Sequence, residues 1–199
     1  MSEERNYYPV EEPEEEEAAL SGADAFKVDL YFWLQALVMA LVGLILIFTF
    51  VGRIIGVDGE SMMPTLHDRD MLLLQSIGYS PEQGDVVVLS TKDFRNGSPI
   101  VKRIIAVGGQ TVDIDYSANT VYVDGVALDE PYILETMRAL PEIFATHVEV
   151  PEGSIFVMGD NRNNSKDSRD PSVGMVDVRY VVGRELLRIF PLGDFGLVE

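Results

Sequence analysis

Residues 30–51, LYFWLQALVMALVGLILIFTFV, hold 22 residues without a charge, and no other stretch constrains the fold so tightly. At about 1.5 Å per residue a helix of that length measures roughly 33 Å, enough to cross a hydrocarbon core of about 30 Å. Tyr31, Phe32 and Trp33 cluster at one end, where aromatic side chains settle at a membrane interface. A cleaved secretory leader has a shorter apolar run and a basic flank, whereas an acidic tail precedes this one. A core helix of a soluble domain is not expected to be so long and so uniform. The expectation is a retained transmembrane anchor over residues 30–52, with the lipid bilayer as one partner.

The anchor divides the chain. Residues 1–29 carry ten Asp/Glu against Arg5 and Lys27, a net charge of −8. The run Glu11-Glu12-Pro13-Glu14-Glu15-Glu16-Glu17 repels itself and has nothing to bury, so this tail is expected to be disordered. It is either solvated or a docking segment for a basic partner. Lys27 and Arg53 flank the anchor and nearly cancel, so the positive-inside rule leaves its orientation open. Residues 53–199 carry 13 Lys/Arg and 23 Asp/Glu, a net of −10, and are long enough for one domain.

The whole chain of 199 residues has a formal charge of −18, which argues against nucleic acid as a partner. With no cysteine there are no disulfides, thiolate metal sites or cysteine nucleophiles. His67 and His147 are the only histidines, and no metal or cofactor is expected.

The long C-terminal segment reads as mainly β. Short apolar runs recur at 71–74, 86–89, 100–107, 121–123, 155–158 and 181–189, punctuated by Gly and Pro. Residues 111–115 and 120–124 alternate apolar and polar around Ser117-Ala118-Asn119, a hairpin signal, and Asp124-Gly125 is a second turn. Residues 130–144 read as a short helix or a loop. The expected architecture is an open β-barrel or sandwich-like domain behind a single N-terminal helix.

Three stretches could carry chemistry. Ser61 lies in Gly59-Glu60-Ser61-Met62-Met63-Pro64-Thr65-Leu66, just after the anchor, and is the candidate nucleophile. In the strand at 99–107, alternation puts Lys102 with Ile100, Ile104 and Ala106, and Arg103 with Val101, Ile105 and Val107. Both cations are thus embedded among apolar neighbours. Arg103 is expected to pair with a carboxylate, because a guanidinium does not deprotonate usefully. Lys102 is either a snorkelling or paired lysine, or an amine that desolvation makes neutral and basic.

A serine and a desolvated lysine together make a Ser-Lys dyad. His67 reads as a turn residue rather than a base. The chain has no Ser-x-x-Lys motif, and no Gly-x-Ser-x-Gly elbow surrounds Ser61. The third stretch, Gly159-Asp160-Asn161-Arg162-Asn163-Asn164-Ser165-Lys166-Asp167-Ser168-Arg169, offers a dense set of short polar and charged side chains. They could fix one another and reach a neighbouring serine or lysine, or simply form a solvated turn.

Together these segments resemble the bacterial type I signal peptidases, membrane-bound serine proteases that remove signal peptides from exported proteins. The resemblance rests on four motifs in order: Ser-Met-Met-Pro-Thr-Leu at 61–66, Gly-Asp-Val-Val-Val at 84–88, Lys-Arg-Ile-Ile-Ala-Val-Gly-Gly at 102–109 and the stretch at 159–169. It implies Ser61 as nucleophile and Lys102 as general base. It also implies Ser165 as a hydroxyl that hydrogen-bonds the lysine, with Asp167, Arg169 and Asp160 supporting the catalytic loop.

The Ser61 N–H would serve the oxyanion hole. Some members add a serine hydroxyl two residues earlier; this chain has Gly59, as in the shorter Gram-positive-like members. Asn163 stands where Asp is common. The resemblance further implies an N-terminus in the cytoplasm and a catalytic domain outside it. The substrate would be an extended preprotein strand with small residues of the A-x-A type at its cleavage site. Met62, Leu66, Ile100 and Val101 are the candidates for lining its pockets, although Met62 reads equally well as core. A monomer is the default expectation.

Two rivals remain at this stage. A self-cleaving protease of the SOS-repressor type shares the dyad chemistry but should carry a DNA-binding segment in place of the anchor. A tethered binding protein on a degenerate peptidase scaffold should lack the catalytic side chains that are present here.

Overall fold

The computed structural model describes residues 22–50, 52–90, 98–138 and 146–198, in two compact units, Met1–Leu44 and Ile45–Glu199. The first unit is represented by helix α1 (Gly22–Phe50), which runs on into the second. Helix α1 starts before the uncharged run, at Gly22 rather than Leu30, and so takes in Asp24, Lys27 and Asp29. Helical hydrogen bonding is indifferent to where the apolar stretch begins, and the Ala- and Lys-containing flank tolerates helix. Phe26–Leu46 is long and apolar enough to cross a membrane. Its large apolar side chains, among them Tyr31, Trp33 and Ile45, are exposed. A helix that is apolar all round and exposed is not the core helix of a soluble domain. The acidic tail up to residue 21 lies outside the described residues.

The second unit is mostly β. In chain order its described strands are β1 (Gly52–Gly56), β2 (Met71–Gln75), β3 (Val86–Leu89), β4 (Ile100–Val107), β5 (Thr111–Asp115), β6 (Thr120–Val123), β7 (Val126–Ala127), β8 (His147–Glu149), β9 (Ser154–Met158), β10 (Val176–Asp177) and β11 (Val181–Phe190). They form a curled, open seven-stranded sheet in the order β1-β2-β11-β3-β4-β9-β10, and a four-stranded sheet in the order β7-β6-β5-β8. The larger sheet has β1 and β10 at its two edges and does not close on itself. All pairings are antiparallel.

Strand β3 is buried along its whole length, which is why it reads as an unbroken apolar run. Val86 and Val88 pack with Val57, Leu72, Leu74 and Val101, whereas Val87 and Leu89 pack with Ile100, Ile104, Ile155 and Val157. The alternation thus places two core layers on opposite faces of the sheet. A third layer, with Ile105, Ala106, Phe156 and Met158, packs against Val112, Ile114, Val121 and Val123 of the smaller sheet.

Both turns legible in the sequence are present. The Asp115 carboxylate accepts from the Ser117 N–H and hydroxyl and the Ala118 N–H, which shapes the β5–β6 hairpin. Asp124 and Gly125 both take positive φ, as a two-residue hairpin turn requires. The strand at 100–107 departs from strict alternation in one respect. A bulge between Ile104 and Ala106 puts Ala106 in the same layer as Ile105. Residues 131–135 are turns and bends rather than helix, and 139–145 lie outside the described residues.

Candidate active site

Ser61 sits in a tight turn after β1. The Met63 N–H donates to the Glu60 carbonyl at 3.2 Å and the Leu66 N–H to the Met62 carbonyl at 2.9 Å. Beneath the turn, Met62 and Leu66 are 1% and 0% exposed and pack with Leu72, Leu74, Val86 and Val101. They anchor the Ser61 turn in the core. Gly59 has φ 99°, a conformation that favours glycine, and its N–H donates to Asp68 Oδ1 at 2.9 Å.

Lys102 reaches Ser61 from β4, whose Val101, Lys102 and Arg103 pair with Val88, Val87 and Val86 of β3. This register fixes the lysine backbone between two central strands. The side chain is buried, at 3% exposed, and Nζ donates to Ser61 Oγ at 2.6 Å and to the Val101 carbonyl at 2.9 Å. Half-buried Ser61 and buried Lys102 border a cavity of about 740 Å³, with Ile100, Val101 and Gly59 in its wall and Asn164 and Lys166 from the polar loop. Ile100 and Val101 therefore line the space next to the pair; Met62 and Leu66 lie in the core below.

The polar loop clamps the turn from the other side. The Asn161 N–H donates to the Ser61 carbonyl at 3.0 Å, and Asn161 Nδ2 donates to the Glu60 carbonyl at 3.1 Å. Gly159 is required by closeness: a Cβ there would fall well inside contact distance of Ser165 Oγ and the Ser61 carbonyl. Ser165 Oγ is buried at this junction without a hydrogen-bond partner among the described residues, so the bond to Lys102 that the resemblance implies is not formed.

Three buried arginines hold the loop. Arg103 makes two hydrogen bonds to Asp160, at 3.0 and 2.8 Å, and a third to the Gly84 carbonyl at 3.0 Å. This is the carboxylate partner expected for Arg103. Asp160 also accepts from the Thr65 hydroxyl, which ties the loop back to the Ser61 turn. Arg169 pairs with Asp167 through two bonds of 2.8 Å and donates to the Arg162 carbonyl, while Asp167 accepts the Gly159 N–H at 3.0 Å. Arg162 forms a two-point pair with Glu130. Burial by itself would lower that guanidinium, but the hydrogen bonds and charge of Glu130 outweigh it and hold the pKa above its ordinary value.

Glu130, Tyr132, Thr65 and Asn161 were not singled out in the sequence. Glu130 and Tyr132 lie in a stretch with no helical or strand period, far along the chain from the residues they touch. The available signal was a count of charges, since each buried arginine demands a carboxylate.

Residues 30–190 match the family model of signal peptidase, peptidase S26. The chain belongs to this signal peptidase family. All four motifs at 61–66, 84–88, 102–109 and 159–169 fall within the matched span. Among curated relatives, the probable signal peptidase I-1 of Synechocystis is 37% identical over 80% of this chain and 82% of its own length. Signal peptidase I of Bacillus licheniformis is 35% identical over 84% of this chain and 92% of its own. A crystal structure of a signal peptidase I from Enterococcus faecalis is 31% identical, with a TM-score of 0.43 over 53% of this chain and 97% of that one.

Proposed function

We propose that this signal peptidase family member is a membrane-bound serine endopeptidase that cleaves signal peptides from exported preproteins, with Ser61 as nucleophile and Lys102 as general base. The observation that carries this reading is the 2.6 Å contact between Lys102 Nζ and Ser61 Oγ at the edge of a cavity, with the lysine 3% exposed. Burial disfavours an ammonium and so favours the neutral, basic amine. Making a lysine half neutral at pH 7 takes about 4–5 kcal/mol of such destabilisation, within the range buried lysines reach.

The neutral amine takes the hydroxyl proton as Oγ attacks the scissile carbonyl. The resulting oxyanion is met by the Ser61 N–H. Lys102 then gives its proton to the departing amine, leaving an acyl-enzyme. Lys102 next activates a water that releases the signal peptide. Gly59 offers no side-chain donor, and its N–H is engaged by Asp68.

Asp160, Asp167 and Arg169 fix the loop that grips the Ser61 carbonyl, and Ser165 fills the junction beside it. Ile100 and Val101 are suited to receive small apolar side chains of an A-x-A cleavage site. Helix α1 serves as the anchor of a single-pass protein, with the acidic tail cytoplasmic and residues 53–199 outside the cytoplasm.

The test is cleavage of a preprotein with an Ala-x-Ala site by the detergent-solubilised protein. Ser61→Ala and Lys102→Met should each abolish cleavage while leaving the thermal melt in place. Cleavage retained by either folded variant overturns the mechanism.

A further inference from the structure

Between β7 and β8 the chain makes an excursion whose described part, residues 130–138, lies across the catalytic loop. The Leu134 N–H donates to the Asp160 carbonyl at 3.2 Å and the Arg138 N–H to Asn163 Oδ1 at 2.8 Å, while Asn163 Nδ2 donates to the Thr136 carbonyl at 2.9 Å. Glu130 takes the two-point pair with Arg162. Between these tethers, the Tyr132 ring faces the Arg103 guanidinium, 3.9 Å from ring centroid to the guanidinium carbon. The Tyr132 hydroxyl donates to Glu130 Oε1 at 3.0 Å, so the ring is held at its far end as well. Burial and the Glu130 charge push that phenol above its ordinary range, so it remains a donor.

The ring gives Arg103 no hydrogen bond. The guanidinium already donates to Asp160 and Gly84, and what the ring adds is a covered face. A cation–π contact of this kind holds the guanidinium in plane and keeps water off it. Holding Arg103 matters because of what lies at each end of its ion pair. Arg103 directly follows Lys102 in β4, and Asp160 accepts from Thr65 on the Ser61 turn. The base strand and the nucleophile turn are therefore joined through one ion pair, and Tyr132 is the lid on that pair.

The geometry points to Tyr132 as a positioning residue for cleavage: its ring, braced by Glu130, locks Arg103 and Asp160 and through them the separation of Ser61 and Lys102. This inference rests on the Ser61–Lys102 reading and assigns a part to a segment between strands β7 and β8 that the dyad alone does not use. A ring contact that only stabilised the fold would affect the melt, not turnover per folded molecule. One that positioned the dyad would lower kcat with KM unchanged, and would be kept by any residue that supplies the same aromatic face.

The experiment uses the full chain in detergent with an Ala-x-Ala preprotein, reading kcat and KM separately beside thermal melts. Tyr132→Phe should stay within about twofold of wild type in both constants. Tyr132→Leu should lower kcat about tenfold with KM within about twofold. Tyr132→Met, which fills the space without an aromatic face, should also lower kcat by about tenfold, and it carries the test if Tyr132→Leu does not fold. A Tyr132→Leu enzyme with wild-type kcat, a loss seen only in KM, or a Tyr132→Phe enzyme as impaired as Tyr132→Leu overturns the inference. Ser61→Ala runs alongside. If it cleaves, the dyad reading itself fails and the inference falls with it; if it is inactive while Tyr132→Leu is unimpaired, the positioning role alone fails.

Discussion

The cavity wall and the polar network behind it are both built around buried polar side chains, yet they solve different problems. At the wall, Ser61 and Lys102 meet at the edge of an open space of about 740 Å³. Behind it, Arg103–Asp160, Arg162–Glu130 and Arg169–Asp167 are buried ion pairs closed off from solvent. Buried ion pairs give little net stability, because desolvation offsets most of the attraction. Their worth here is geometric: each fixes a piece of the loop that grips the Ser61 carbonyl. On the proposed reading the chemistry lies at the open wall, and its alignment comes from the closed network.

Perturbing the junction of the two regions should do the most damage. Gly159→Ala forces a methyl against the Ser61 carbonyl and Ser165, and the backbone carbonyl cannot rotate away. Preprotein cleavage should fall by about 100-fold or more even where the protein still melts cooperatively. Asp167→Asn strikes the network alone. It leaves the buried Arg169 charge poorly compensated and should cost about 3 kcal/mol in denaturant unfolding, with a smaller loss of turnover per folded molecule.

Glu185, near Arg103 but outside the three ion pairs, gives the smallest effect and a change of sign. Burial raises its carboxyl to about 7, only partly countered by Arg188, Arg184 and Arg103, and its Oε1 has no hydrogen-bond partner. Below the unfolded-state pKa both states are protonated and nothing is lost. As pH rises through the window up to about 7, the unfolded chain releases the proton first and stability falls; above it the penalty is complete. Glu185→Gln should therefore add about 2 kcal/mol at pH 8, almost nothing at pH 4, and leave cleavage unchanged.

Much of the fold could be read from local pattern, since β3 and β9 are largely apolar runs, β4 is one interrupted only by Lys102 and Arg103, and β5–β6 alternates around a turn. Strand β1 was not singled out because Gly52-Arg53-Ile54-Ile55-Gly56 is short and adjoins the apolar run. The bulge at Ile105 left no mark either, because every residue there is apolar and suits either face. At the site, the sequence offered Ser61, Lys102 and the polar loop as separate motifs. The structure brings Lys102 to Ser61 and pairs Arg103 with Asp160 and Asp167 with Arg169. Tyr132 and Glu130 were not legible. Their partners lie about thirty residues away in either direction, across sheets whose packing no local period encodes.

The pH dependence of kcat/KM for preprotein cleavage tests the dyad most directly, because it reports the free enzyme's base. With Lys102 desolvated, the rate should rise through an apparent pKa far below that of a free lysine and reach its plateau near neutral or mildly alkaline pH. A rise centred near pH 10, where an ordinary lysine loses its proton, would contradict a buried neutral amine as the base.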